Sequence, residues 1–150
     1  MLREQINEAL AEAVRARDKT RVSTLRLINA AIKDRDIAAR GDGREGLSDD
    51  EIRQILAKMI KQREESTVVY AEAGRTDLAE QEREEMEIIR SFLPRQLSEE
   101  EMRHACESAV NEVGATGLRD MGKTMATLKQ RYAGQMDFGR ASCVVKGMLN

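Results

Sequence analysis

Only one proline, Pro94, stands in the 150 residues. Proline removes a backbone donor and drives the residue before it away from helix. Everywhere else the chain is free to stay helical, and its composition favours that. Ala, Glu, Arg, Leu and Met, all good helix formers, are abundant. Aromatics make up 3% and Trp is absent. A sandwich or barrel needs aromatic, β-branched and turn residues, so most all-β folds are excluded. The expected fold class is all-α. With 41% apolar residues, a chain of this length can bury roughly two-thirds of its unfolded surface.

Apolar periodicity locates the helices. Leu2, Ile6, Leu10, Ala13 and Val14 recur at nearly four-residue spacing on one face, and Asp18-Lys19 interrupts them. Val22, Leu25, Ile28 and Ile32 form one face of a second helix, with Leu27 and Ala31 on another. A helix apolar on two sides is expected to be sandwiched between neighbours. Gly41, Gly43 and Gly46 mark a polar loop. Leu47-Ser48-Asp49-Asp50-Glu51-Ile52 combines a capping box with a hydrophobic staple. The helix it opens should run to about Ala73, with Gly74 at its C′ position. Its stripe is Ile52, Ile55, Leu56, Met59 and Ile60, and the polar Lys61–Thr67 segment should face solvent. A turn at Gly74-Arg75-Thr76 predicts a long αα-hairpin with a helix carrying Leu78, Met86, Ile89 and Phe92.

Leu93-Pro94-Arg95-Gln96-Leu97 is the expected boundary between an N-terminal helical domain, 1–93, and a C-terminal three-helix bundle, 98–150. Leu97-Ser98-Glu99-Glu100-Glu101-Met102 repeats the box and staple. Met102, Ala105, Cys106, Ala109, Val110 and Val113 line one helix. Leu118, Met121, Met125, Leu128 and Tyr132 line the second, and Phe138, Ala141, Val145, Met148 and Leu149 the third, capped by Asp137.

Catalytic signals are few. His104 stands alone, and a lone His without nucleophile or metal partners reads as structural. Glu80, Glu82, Glu84, Glu85 and Glu87 lack the Glu-x-x-His companions of a bundle metal site and read as a solvated face. Gly117 to Thr124 matches GxxxxGKT, but a true phosphate loop follows a buried strand. Its helical context makes the match accidental. Cys106 and Cys143 occupy apolar helix positions and should be buried free thiols. Neither a metal nor another cofactor is expected. No apolar run approaches the ~18 residues of a membrane span. Met1-Leu2-Arg3-Glu4 does not look like a secretory leader. A cytoplasmic location is expected, with no membrane partner.

Charge is unevenly distributed. Residues 15–40 carry a net +5, residues 41–91 a net −6 and residues 114–150 a net +4. Such asymmetry marks a polyanion partner or mutual attraction between the parts. Arg119, Lys123 and Thr127 lie opposite the apolar stripe of their helix, Lys129 at its rim, and Arg140 and Lys146 on the last helix. Cations beside glycines suit close approach to a phosphate backbone. The competing reading is a solvated helix face.

Three blocks carry a family resemblance. They are Leu25-Arg26-Leu27-Ile28-Asn29-Ala30-Ala31-Ile32-Lys33, then Glu87-Ile88-Ile89 through Leu93-Pro94-Arg95-Gln96-Leu97-Ser98-Glu99-Glu100-Glu101. The third is Asp120-Met121-Gly122-Lys123-Thr124-Met125 with Leu128-Lys129, Gly134 and Val145-Lys146. In this order they resemble the YqeY-like, GatB/YqeY-domain family over nearly the whole chain. The resemblance implies a C-terminal bundle similar to the tail of the B subunit of the tRNA-dependent amidotransferase. That tail contacts tRNA, and catalysis occurs in other domains. The implied function is a tRNA- or RNA-binding accessory module without a catalytic centre of its own. The RNA-binding candidates are Arg119, Lys123, Lys129 and Lys146. Implied protein partners are amidotransferase or aminoacyl-tRNA synthetase components. Two alternatives stand beside it: a component of a carbon–nitrogen ligase using glutamine as amido-N-donor, and a protein–protein adaptor. The chain departs from the pattern at Gln135-Met136-Asp137-Phe138, where members often carry a basic and then a small residue.

Overall fold

A computed structural model describes residues 1–150. It contains seven α-helices and no strand: α1 Leu2–Ala16, α2 Lys19–Gly41, α3 Asp49–Glu72, α4 Thr76–Arg90, α5 Glu99–Val113, α6 Met121–Arg131 and α7 Phe138–Leu149. A short 3₁₀ turn, Leu118–Asp120, leads into α6. The chain divides into two compact units, Met1–Leu93 and Pro94–Asn150. No helix is long and apolar enough to cross a membrane.

Local signals set the helix ends. The Ser48 hydroxyl accepts from the Glu51 N–H at 3.2 Å and the Glu51 carboxylate accepts from the Ser48 N–H at 3.3 Å. Ser98 and Glu101 repeat this reciprocal pair at 3.1 Å each way. Each pair satisfies two donors that a helix start leaves without partners. Helix C-termini close by a recurring device. Arg75 N–H donates to the Tyr70 carbonyl and Gly74 N–H to that of Ala71, a Schellman turn that needs positive φ at Gly74. Gly114, at φ 71°, closes α5 in the same way. At the end of α1 the left-handed position falls on Arg17, at φ 56°, the one non-glycine residue with positive φ.

In the first unit Ile6, Leu25, Ile28, Ile52, Leu56 and Ile89 are fully buried and draw α1 to α4 around one core. The second apolar side expected of α2 is covered only in part: Ala31 packs against the core, while Leu27 is 48% exposed, as is Val14 of α1 at 49%. The buried stripe of α2 is narrower than the count of apolar residues suggested, because nothing in this unit covers Leu27.

α3 and α4 pack along each other across a three-residue connection. Beyond Ile60 the pair buries Ala79 and adds a shielded polar contact. Arg63 Nε donates to Glu85 at 3.0 Å, and both side chains are largely shielded from solvent. Gln81 donates to the same carboxylate, and Arg63 also reaches the Met59 carbonyl. Glu85 therefore leaves the solvated acidic face expected from the sequence. Its turn of α4 faces Arg63, and the ion pair offsets the cost of burial.

In the second unit α5, α6 and α7 each pack against the other two. Cys106, Leu128, Ala141 and Val145 are fully buried at the centre. Leu118 is 48% exposed because the 3₁₀ turn rotates it off the α6 stripe. Buried Thr124 joins Leu128 on the inner face instead. Cys143 is exposed, against the expectation of burial, because the α7 face that packs inward is Ala141, Val145 and Leu149.

Candidate nucleic-acid interface

The C-terminal unit sorts its cations into two sets. Arg95 pairs with Glu101 at 2.6 Å, Arg131 with Glu112 and Arg140 with Glu99. All three acids belong to α5, so the acidic helix neutralises arginines before, within and after the bundle. Arg119, Lys123, Lys129 and Lys146 are exposed, and none has a carboxylate within 4 Å.

Arg119 and Lys123 lie on either side of Asp120. The Asp120 carboxylate accepts from the Thr116 N–H at 3.0 Å and the Gly117 N–H at 3.4 Å. Those donors, with the fields of Arg119 and Lys123, hold its pKa below the ordinary carboxylate value. The acid is thus engaged by the turn that starts α6, and both cations point their charge into solvent. Lys129 sits in the last turn of α6 and Lys146 in the last turn of α7. A cation in a last turn also offsets the helix dipole by about 0.3–1 kcal/mol. Lys123 and Lys129 are six residues apart, about 120° around the helix. They do not form a single stripe on α6. Arg140, which neighbours these cations in sequence, is held by Glu99.

Arg103, exposed on α5 and without a carboxylate within 4 Å, is a further cation that the sequence pattern hides. Its neighbours Glu99, Glu100, Glu101 and Glu107 make the segment look acidic. Only the pairing of Glu99 and Glu101 with distant arginines changes that balance.

The remaining candidates have plain roles. Residues 117–124 run from the 3₁₀ turn into α6, and the buried Thr124 hydroxyl donates to the Asp120 carbonyl at 2.9 Å. A phosphate loop needs a strand before it and a hydroxyl open to the ligand. This segment supplies neither. His104 is exposed between Glu100 and Glu107. Burial pushes the Cys106 thiol up, and its sulfur lies 3.9 Å from the Ala141 carbonyl. No three His, Cys, Asp or Glu side chains converge as a metal site. The departure at Gln135-Met136 has a packing reason. Met136 is buried in the bundle core, and the Gln135 carbonyl accepts from the Leu97 N–H at 2.8 Å. The neighbouring Gly134 carbonyl accepts from the Gln96 side chain. The larger Met136 side chain, where the family pattern has a small residue, fills the core, while Gln135, where the pattern has the cation, is only half-buried.

A family model described as Yqey-like protein matches residues 3–149. The chain belongs to the YqeY-like family. Three fungal relatives share the name "Altered inheritance of mitochondria protein 41, mitochondrial". That of Eremothecium gossypii is 26% identical over 147 residues, covering 96% of this chain and 78% of its own. That of Clavispora lusitaniae is 29% identical over 143 residues, covering 93% and 80%. That of Lachancea thermotolerans is 32% identical over 88 residues, covering 59% of this chain and 46% of its own length. This YqeY-like chain thus spans less than half of the Lachancea protein.

These names overturn the cytoplasmic location expected from the sequence. The N-terminal residues argue only against a secretory leader. An organelle address is written in a different composition, and a helical body carries no mark of its compartment.

Proposed function

We propose that this YqeY-like chain is a tRNA-binding accessory module that acts through Arg119, Lys123, Lys129 and Lys146. One observation carries the reading: the C-terminal unit engages three arginines in ion pairs and leaves these four cations, with Arg103, exposed and unpaired. Unpaired cations release condensed counterions when they meet phosphate, and this supplies affinity without sequence readout. Phe138 and Tyr132 are packed against the core, so base stacking contributes little. Recognition is therefore by shape and phosphate. The RNA class is taken from the resemblance of the third sequence block to the amidotransferase B tail. On that kinship the chain would hold charged tRNA for an amide-transferring partner.

The test is tRNA binding to the purified protein across a salt series. Four phosphate contacts predict roughly a hundredfold loss of affinity between 50 and 200 mM salt. Lys123→Glu should weaken binding about tenfold and make the salt slope shallower by about one contact. Absent binding at low salt, or binding indifferent to salt, removes the proposal.

A further inference from the structure

Where α1 hands over to α2, the first unit carries an open groove of about 730 Å³ lined by Val14, Arg17, Lys19, Val22, Arg26 and Leu27. Its floor is apolar and its rim is basic. Val14 and Leu27 are about half exposed. Arg17, Lys19 and Arg26 are exposed and have no carboxylate within 4 Å.

The same chain carries the opposite surface. On the outer half of α3, Val68 and Val69 are 56% and 62% exposed. Glu65 and Glu72 flank them at the i, i+3, i+4, i+7 spacing of one helix face. Both glutamates are exposed and neither is in an ion pair. This is an apolar ridge with an acidic rim. Ridge and groove are both open, so neither covers the other within one chain.

We propose that the groove binds the outer face of α3 from a second copy of this chain. Val68 and Val69 seat on Val14, Val22 and Leu27, while Glu65 and Glu72 face Arg17, Lys19 and Arg26. An acidic amphipathic helix entering a basic-rimmed groove is a known mode of helix recognition. Charge complementarity favours this occupant over RNA, whose phosphates would bring nothing to cover the apolar floor. Each contact joins the groove of one copy to the ridge of another. It involves only first-unit residues and stands independently of the RNA proposal.

Sedimentation velocity of the intact protein over a concentration series tests it. The wild type should self-associate at low salt, with affinity falling about tenfold or more at high salt. Lys19→Glu/Arg26→Glu and Glu65→Lys/Glu72→Lys should each be monomeric, with helicity and melting unchanged. Mixing the two variants should restore a complex, since an acidic groove then meets a basic ridge. A wild type that stays monomeric throughout, or variants that associate as it does, overturns the proposal. So does a mixture that stays apart. If the wild type is monomeric and the groove variant loses tRNA affinity, the groove belongs to RNA instead.

Discussion

Thr24 is fully buried, and its hydroxyl has no hydrogen-bond partner. A buried unsatisfied donor costs about 1–3 kcal/mol. Thr24→Val keeps the shape and removes that penalty, so it should raise stability by about 1 kcal/mol, read as a higher denaturant midpoint at unchanged slope. Glu101 is the opposite case, a carboxylate well supplied with donors. Arg95 beside it and the Ser98 N–H pull its carboxyl from an ordinary 4.5 down to about 2. A folded-state pKa below the unfolded one means stabilisation above the ordinary value that is lost as pH falls. Glu101→Gln should therefore lower the melting temperature at pH 7. The gap to wild type should close as pH drops from about 4.5 toward 2. A gap that persists at pH 2 would show that the charge is not the cause. Arg17 in its left-handed conformation is a third special residue. Its side chain lines the groove, so it has a use there that glycine could not serve.

At the scale of elements, the α3–α4 pair rests on two kinds of contact. Its inner half is apolar, and its outer half adds the Arg63–Glu85 ion pair to the burial of Ala79. Glu85→Ala leaves a shielded guanidinium without its anion and should cost about 3 kcal/mol. Replacing both, as Arg63→Met/Glu85→Leu, should recover most of that loss. Thermal melts of the single and double variants check both statements. Equal losses in the two would mean that packing, not charge, is at stake. The acidic α5 plays a similar part in its unit. By pairing with Arg95, Arg131 and Arg140 it decides which cations stay available.

At the scale of the whole molecule, two units with separate cores carry separate proposed surfaces. The smaller core is the vulnerable one. Leu128→Ala should cost about 2–5 kcal/mol, comparable to the whole stability of a bundle this small. tRNA binding should fail as that unit melts, while self-association through the first unit persists. Amide exchange should show protection lost in residues 94–150 and retained in α2 and α3. Loss of protection throughout would mean that the two cores fold as one.

The family blocks, the all-α class, both capping boxes, the Gly74 turn and the principal core stripes are all legible in the sequence. They depend on periodicity, caps and φ preferences, which act over a few residues. Burial of Glu85 and exposure of Leu27, Leu118 and Cys143 are not legible there. Each depends on which neighbouring helix covers a given face, and one helix's sequence does not contain that. The same holds for the candidate interface. Where the cations stand along the chain follows from the residues alone. That Arg131 and Arg140 are neutralised by α5 while Arg119, Lys123, Lys129 and Lys146 are not follows only from the packed helices, because pairing across helices depends on distance in space.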